Sequence, residues 1–320
     1  MLKRVFIAGG AGFVGSHFVD RLLASDETEK VTIYDNFSSG TRQHLAHHND
    51  KRLVIVDNEI SNSKALQEEM DGHDTVIHLA SNPDIAKAVT DPTVDFYEGT
   101  CLTNSIVEAM RITGVKRILY ASGSGIYGDA KDFELRENYG PLTPISTYGA
   151  SKLAGEALIS AYCHMFDMMG LAFRWGNVVG PRQTHGVGFD FIRKLKKNPR
   201  ELEILGDGTQ SKSYVYIADI IDAVLLAHEK ATKPYDVYNV ATGDYITVKD
   251  IALIAIEEQL GKGAGVEIKY TGGDRGWKGD VPIVRINTDK IRALGWKPQH
   301  KSGEAIRKAI LAMLKQESLV

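Results

Sequence analysis

Tyr148-Gly149-Ala150-Ser151-Lys152 holds the pair of side chains best suited to chemistry. Tyr148 and Lys152 are four residues apart, so on a helix they share one face. A phenol has a pKa near ~10 and is a poor base at neutral pH. A neighbouring ammonium favours the phenolate and lowers that value. Such a tyrosine can exchange a proton with a substrate hydroxyl while hydride moves elsewhere. The plain alternative is an exposed Tyr–Lys pair on a helix surface. What decides between the two is the company the pair keeps.

That company begins at Gly9-Gly10-Ala11-Gly12-Phe13-Val14-Gly15. The run satisfies GxGxxG through Gly10, Gly12 and Gly15, and lies between an apolar stretch and a helical pattern. Glycines allow the tight turn and let backbone approach a pyrophosphate. The helix start then offers N–H groups and a positive dipole end. Asp35 ends the next apolar run, twenty residues past Gly15, where a carboxylate accepts from the adenosine ribose hydroxyls. It would repel a 2′-phosphate, so NAD is expected rather than NADP. Asp57 and Asn58 follow the third apolar run, and Leu79-Ala80-Ser81 follow the fourth, at the sheet edge where ligands bind. Asp57 or Asn58 contacts the adenine, or else caps the next helix.

The elements that must position these residues alternate. Short runs at Val5–Ala8, Val31–Tyr34, Leu53–Val56, Thr75–Ala80, Arg117–Ser122 and Leu171–Trp175 read as strands. Between them, Phe13–Leu23, Lys64–Met70, Val94–Ile112 and Tyr148–Met169 read as helices. Strands alternating with helices imply a parallel sheet with helices on both faces. The expected class is α/β: a Rossmann doubly wound parallel sheet over 1–176, followed by a smaller, mixed α/β C-terminal lobe over 177–320. Elements of the two lobes are expected to interleave in part. Helical patterns in the second lobe fall at Phe189–Lys197, Ala218–Lys230, Val248–Leu260 and Glu304–Lys315.

Bulk properties exclude other classes. The 320 residues are 43% hydrophobic and 25% charged, with a net charge of −3, so no nucleic-acid surface is implied. No apolar run of membrane-spanning length occurs. Met1–Arg4 runs straight into Val5-Phe6-Ile7 without a signal-type stretch, so a cytoplasmic location is expected. Cys101 and Cys163 read as buried reduced thiols. His44, His47 and His48 cluster beside Asn49 and Asp50 and read as a solvated face. No metal site is expected.

Together these stretches resemble the extended short-chain dehydrogenase/reductase family over nearly the full length. Gly9–Gly15, Asp35, Tyr148–Lys152 and Arg174-Trp175-Gly176-Asn177-Val178 fall in the family's order. Within it the chain looks most like the UDP-glucose 4-epimerases, through Asp35-Asn36-Phe37-Ser38-Ser39-Gly40, His78–Pro83, Tyr127-Gly128-Asp129, Asn177–Arg182 and Arg275–Asp280. The resemblance implies NAD-dependent epimerisation of a UDP-hexose at C4 through a transient 4-keto sugar. It adds Phe13, Val14, Asn36, Ser38, Ser39, Gly40, Ala121 and Trp175 to the cofactor candidates. Tyr148 would carry the proton, and Lys152 would hold the nicotinamide ribose and depress the Tyr148 pKa. Asn177, Lys212, Arg275 and Asp280 would bind the UDP-sugar. Where the family carries a Ser or Thr beside the sugar, this chain has Gly123, flanked by Ser122 and Ser124, which become the candidates for that hydroxyl's role. Gly99 and Gly176 are further departures. Other readings are an epimerase or dehydratase acting on UDP-glucuronate or a UDP-N-acetylhexosamine, or a non-catalytic NAD-binding protein. Dehydratases of the family need an Asp-Glu pair where this chain has Ser124-Gly125. A homodimer pairing the helices Val94–Ile112 and Tyr148–Met169 is also implied.

Overall fold

The computed structural model describes residues 2–131 and 133–317. The chain forms two compact units, each discontinuous in sequence. Unit 1 comprises Met1–Ile126, Thr147–Arg174 and Ile221–Tyr238, and unit 2 the remainder. The chain passes between the units at 126/127, 146/147, 174/175, 220/221 and 238/239, whereas the sequence pattern suggests one division, at 176/177.

Unit 1 is built on a sheet whose core strands are β1 (Arg4–Ala8), β2 (Lys30–Asp35), β3 (Leu53–Asp57), β4 (Thr75–His78) and β5 (Arg117–Gly123). Met169–Trp175 and then Tyr235–Val240 extend it beyond β5, giving seven strands in the order Tyr235–Val240, Met169–Trp175, β5, β4, β1, β2, β3. The pairings β2–β3, β1–β2, β1–β4 and β4–β5 are all parallel. The order reverses at β1, which places the ligand crevice at its carboxyl end. β1 and β2 are buried almost throughout, so they read as continuous apolar runs rather than alternating ones.

Helix α1 (Phe13–Leu23) buries Phe13, Phe18, Val19, Leu22 and Leu23 at helical spacing. α2 (Ser63–Met70) starts at Asn62, whose side chain accepts from Ala65 N. The expected helix Val94–Ile112 has two parts. Phe96–Cys101 is a π-helical turn, and α3 (Leu102–Thr113) follows and ends on Gly114 in the left-handed conformation. α4 (Thr147–Met165) packs tightly on its neighbours at two glycines. A Cβ on Gly155 would lie 2.3 Å from the Tyr120 hydroxyl, and one on Gly99 would lie 2.7 Å from Ser151 Oγ. The glycine at 99 is therefore a packing requirement. Cys163 is buried in this helix, whereas Cys101 is only half-buried, because it sits where the π turn passes into α3.

Beneath α4 lies a buried polar network. Glu156 Oε1 accepts from Ser122 Oγ at 2.6 Å and from Arg174 Nε at 3.0 Å, and Oε2 accepts from Arg174 Nη2 at 2.7 Å. Both charged side chains are about 5% exposed. The paired geometry and the serine together satisfy charges that burial would otherwise make costly.

Unit 2 is assembled from short pairs. Asn177–Val179 with Tyr214–Tyr216, Glu201–Ile204 with Glu267–Tyr270, and Glu134–Leu135 with Arg285–Ile286 are parallel. Ser211–Lys212 with Ile246–Thr247 is antiparallel. Helices Val187–Lys197, Val248–Leu260 and Ser302–Glu317 match the sequence expectation to within two residues at each end. The fully buried Asn239 is satisfied at both ends of its amide. It donates to Leu135 O and Asn287 O and accepts from the Tyr127 hydroxyl at 2.7 Å. Among the described residues no helix is long and apolar enough to cross a membrane.

Removing Glu156 strands a buried guanidinium. Glu156→Ala is expected to lower stability by about 3–5 kcal/mol in urea denaturation. A loss below ~1 kcal/mol would show that Arg174 is solvated in the fold.

Candidate active site

The turn from β1 into α1 is shaped by contacts that no side chain could share. Gly9 has φ +81°, donates its N–H to Tyr34 O, and a Cβ there would lie 2.7 Å from Ala80 N. A Cβ on Gly15 would lie 2.5 Å from Gly9 O. Gly12 differs, since its Cβ would meet only Gly9 O, at 3.5 Å. Packing thus demands Gly9 and Gly15, while Gly12 leaves the start of α1 uncovered. That start has no side-chain cap and no acidic residue in its first turn. Its N–H groups and dipole suit the pyrophosphate of a dinucleotide.

Asp35 is buried at the end of β2. Its Oδ2 accepts from Ala11 N and its Oδ1 from Phe37 N, both at 2.9 Å. Burial raises its pKa, and the two N–H bonds oppose the rise. Each carboxylate oxygen keeps a further lone pair for a ribose hydroxyl. Asn36 Oδ1 accepts from both the N–H and hydroxyl of Ser38, and its amide reaches Glu59. Ser39 is exposed, and Gly40 packs against Ala11. Leu79 N and Ala80 N both donate to Ala8 O, which seats this segment beside Gly9. Phe13 lies edge-on to His17, and Val14 stays partly exposed.

Several expectations change here. Asp57 pairs with Arg42 at the surface, and Asn58 accepts from Glu59 N, so neither caps α2; Asn62 does. His44 is not on a solvated face. The 3₁₀ turn Arg42–Leu45 folds onto the glycine loop and buries it, with Nδ1 3.0 Å from Ala11 O.

α4 presents Tyr148, Lys152 and Glu156 one turn apart. Lys152 is buried and donates to Ala121 O at 2.8 Å. Its ammonium lies 5.5 Å from the centre of the Tyr148 ring and 5.2 Å from that of Tyr120. Burial pulls the Lys152 pKa down to about 8, and Asp95 opposes this. Burial pushes Tyr148 up to about 12, and Asp95 adds to it. The sequence suggested the opposite direction for Tyr148. The ammonium sits over the ring and is held by a backbone carbonyl, so the cost of burying a phenolate outweighs its attraction. Among the described residues the Tyr148 phenol oxygen has no hydrogen-bond partner.

Of the two serines, Ser122 is buried and commits its proton to Glu156. Ser124 is partly exposed, opens the turn Ser124–Tyr127, and its hydroxyl bonds to no described residue. Gly125 follows it against the Tyr148 ring, where a Cβ would lie 3.9 Å from Cδ1. A Cβ on Gly123 would meet nothing within 4 Å, so the missing side chain leaves open space.

Sequence reasoning passed over Asp95. It is 1% exposed and accepts from Thr147 Oγ1 at 2.6 Å and Asn82 Nδ2 at 2.9 Å. It thereby ties down the residue next to Tyr148. Nothing in local spacing connects positions 95 and 147. Glu156 was also passed over, although its place one turn beyond Lys152 was readable.

In unit 2, three of the four expected substrate residues meet at Asp280. Asp280 Oδ1 accepts from Lys212 Nζ at 2.5 Å, its Oδ2 from Gly276 N, and its carbonyl from Arg275 Nη1 at 2.7 Å. Arg275 Nη2 also reaches Asp129 Oδ2. Asn177 hydrogen-bonds the Tyr214 phenol instead. At Gly176 the space is tight, since a Cβ would lie 3.1 Å from Ser213 O and the backbone would have to give by a few tenths of an ångström. Trp175 is buried with its Nε1 unpartnered among the described residues.

Asp35→Ala is expected to weaken NAD binding roughly tenfold or more, from loss of charge-assisted bonds; equal affinity by fluorescence titration would put the ribose partner elsewhere. Gly123→Ser is expected to change unfolding free energy by no more than about 0.5 kcal/mol. A larger loss on urea unfolding would mean that the space beside Gly123 is filled.

The profile of the NAD dependent epimerase/dehydratase family matches residues 5–241. A putative UDP-glucose 4-epimerase of Methanocaldococcus jannaschii is 31% identical over 96% of this chain and 97% of its own. A crystal structure of a UDP-galactose 4-epimerase superposes with a TM-score of 0.85 at 36% identity, covering 98% of this chain and 99% of that one. A UDP-N-acetylglucosamine 4-epimerase from Methanobrevibacter ruminantium, solved with UDP-N-acetylmuramic acid, gives 0.86 at 28% identity over 98% and 99%. With the family profile spanning residues 5–241 and a 31% identical relative covering almost the whole chain, the chain belongs to the NAD-dependent epimerase/dehydratase family.

Proposed function

We propose that this enzyme interconverts the C4 epimers of a UDP-hexose of the UDP-glucose and UDP-galactose type, through a transient 4-keto sugar. The observation that carries the reading is Tyr148, whose phenol oxygen is unpartnered among the described residues, which stands one helical turn from a buried lysine and whose ring faces Gly125. Bound NAD supplies a reversible acceptor for the hydride at the sugar's C4. The glycine loop, Asp35 and Lys152 are the residues that would hold it.

Tyr148 removes the proton of the 4-hydroxyl and later returns it. With its pKa near 12, the phenol is mainly protonated at neutral pH. With oxidised NAD bound, the added positive charge would favour the Tyr148 phenolate. Lys152, with a pKa near 8, is still mostly charged at pH 7 and adds to the same field. Ser124 is the hydroxyl free to bridge sugar and tyrosine, since Ser122 keeps its proton on Glu156. Lys212 and Arg275 are the cations for the diphosphate, exchanging Asp280 and Asp129 for phosphate oxygens, and Asn177 is a further polar candidate, now on the Tyr214 phenol. Asp280 would then keep its bond from Gly276 N and have its other oxygen free for a ribose hydroxyl.

A 4,6-dehydratase is disfavoured because Ser124 and Gly125 cannot do acid–base work at C5 and C6. A non-catalytic role is disfavoured because both Tyr148 and Lys152 are retained. A UDP-N-acetylhexosamine is the second substrate considered, given the 28% identical relative named for one. We extend the reading to a cytoplasmic homodimer paired through α3 and α4, which expose Ile112 and Met165.

Tyr148→Phe is expected to lower turnover of UDP-galactose at least ~100-fold with NAD still bound, as read in a product assay over a panel of UDP-sugars. Retained turnover would remove Tyr148 as the proton carrier. No turnover of any UDP-hexose by the unaltered enzyme would remove the substrate assignment.

A further inference from the structure

Sequence spacing gave no reason to join His47 and His48 to anything. The fold brings Asp20, on α1, against both. His47 Nε2 lies 2.9 Å and His48 Nε2 2.8 Å from the same carboxylate oxygen, Oδ1 of Asp20. The two imidazole rings are 4.0 Å apart between centres. One ligand atom from each of the three residues lies within 4.8 Å of the others. His17, one turn before Asp20 on α1, places Nδ1 3.7 Å from Oδ2. We propose that Asp20, His47 and His48 form a three-residue binding site for one divalent transition-metal cation of the Zn²⁺ type, the fourth position of the tetrahedron being left to water.

The donor set selects the class of ion. Imidazole nitrogen with one carboxylate oxygen suits Zn²⁺, Ni²⁺ or Cu²⁺, whereas Mg²⁺ and Ca²⁺ want oxygen alone. Zn–N and Zn–O bonds of about 2.0–2.2 Å in a tetrahedron separate the ligand atoms by roughly 3.3 Å. The nitrogen–oxygen distances here need to open by only a few tenths of an ångström. Two imidazoles pointing at one oxygen must both present Nε2–H when no ion is bound, and a cation replaces both protons. His17 and His48 are mostly covered while His47 is about half exposed, so an ion can enter from solvent on the His47 side.

The site would also have a mechanical effect. The segment that begins at Asp35 is tied to the glycine loop by Thr41 N and His44 Nδ1, both on Ala11 O. A cation on His47 and His48 would fasten the far end of this segment to α1. Both ends of the ribose-binding loop would then be anchored to the helix whose start faces the phosphates.

The test uses the untagged, NAD-loaded protein, freed of metal by a chelator and titrated with Zn²⁺ by calorimetry. One Zn²⁺ per chain is expected. His47→Ala and Asp20→Ala should each weaken binding roughly tenfold or more, while His164→Ala, on α4 and outside the site, should leave it unchanged. His47 is exposed and its replacement should keep NAD bound, which separates loss of the site from loss of the fold. Absence of saturable Zn²⁺ binding, or binding equal in the unaltered protein, His47→Ala and Asp20→Ala, would overturn the proposal.

Discussion

The ammonium of Lys152, buried and bonded to the carbonyl of Ala121, is the contact on which the rest of the candidate site depends. It joins α4 to β5 at the point where the chain must hold a tyrosine at a fixed distance from a dinucleotide. A cation in that position has few alternatives, because leaving it unbonded would cost several kcal/mol. One turn further along, Glu156 repeats the arrangement with Ser122 and Arg174. One turn earlier, Asp95 anchors Thr147. α4 is therefore pinned by polar contacts along the same face that carries Tyr148. The close approaches at Gly99 and Gly155 permit it to sit near enough for these bonds to form.

The electrostatics follow from that burial. Desolvation moves Lys152 and Tyr148 toward their neutral forms, and Asp95 favours the charged lysine and the neutral phenol. Without cofactor, the site rests with a protonated tyrosine. A positive charge brought close to the ring would change this balance toward the phenolate.

Much of this was legible in the residues. Strand runs, the glycine turn, Asp35 and the Tyr–Lys spacing are all local patterns, and local patterns are what periodicity reads. Helix ends came within a few residues for the same reason, except where Phe96–Cys101 widened into a π turn. What stayed hidden depends on which distant segments meet. Asp95 meets Thr147 across 52 positions, and the Ser122 hydroxyl donates to Glu156 across 34. His44 looked solvated because its neighbours are polar, yet a short turn folds it onto the glycine loop. The direction of the Tyr148 pKa was misjudged because spacing reports a nearby charge but not the degree of burial. Ser124 and Ser122 could not be ranked until one of them was seen to be engaged.

The order in which unit 1 is completed has a bearing on biosynthesis. Its seventh strand, Tyr235–Val240, arrives only after unit 2 has supplied Tyr127–Ser146 and Trp175–Ile220. A ribosome making this chain therefore exposes an unfinished sheet edge, formed by Met169–Trp175, for some sixty residues of synthesis. Unpaired edges invite the wrong strand. The nascent enzyme thus has a period of vulnerability to misassembly that a contiguous nucleotide-binding domain would avoid, and cutting the gene at the 176/177 junction would make that period permanent.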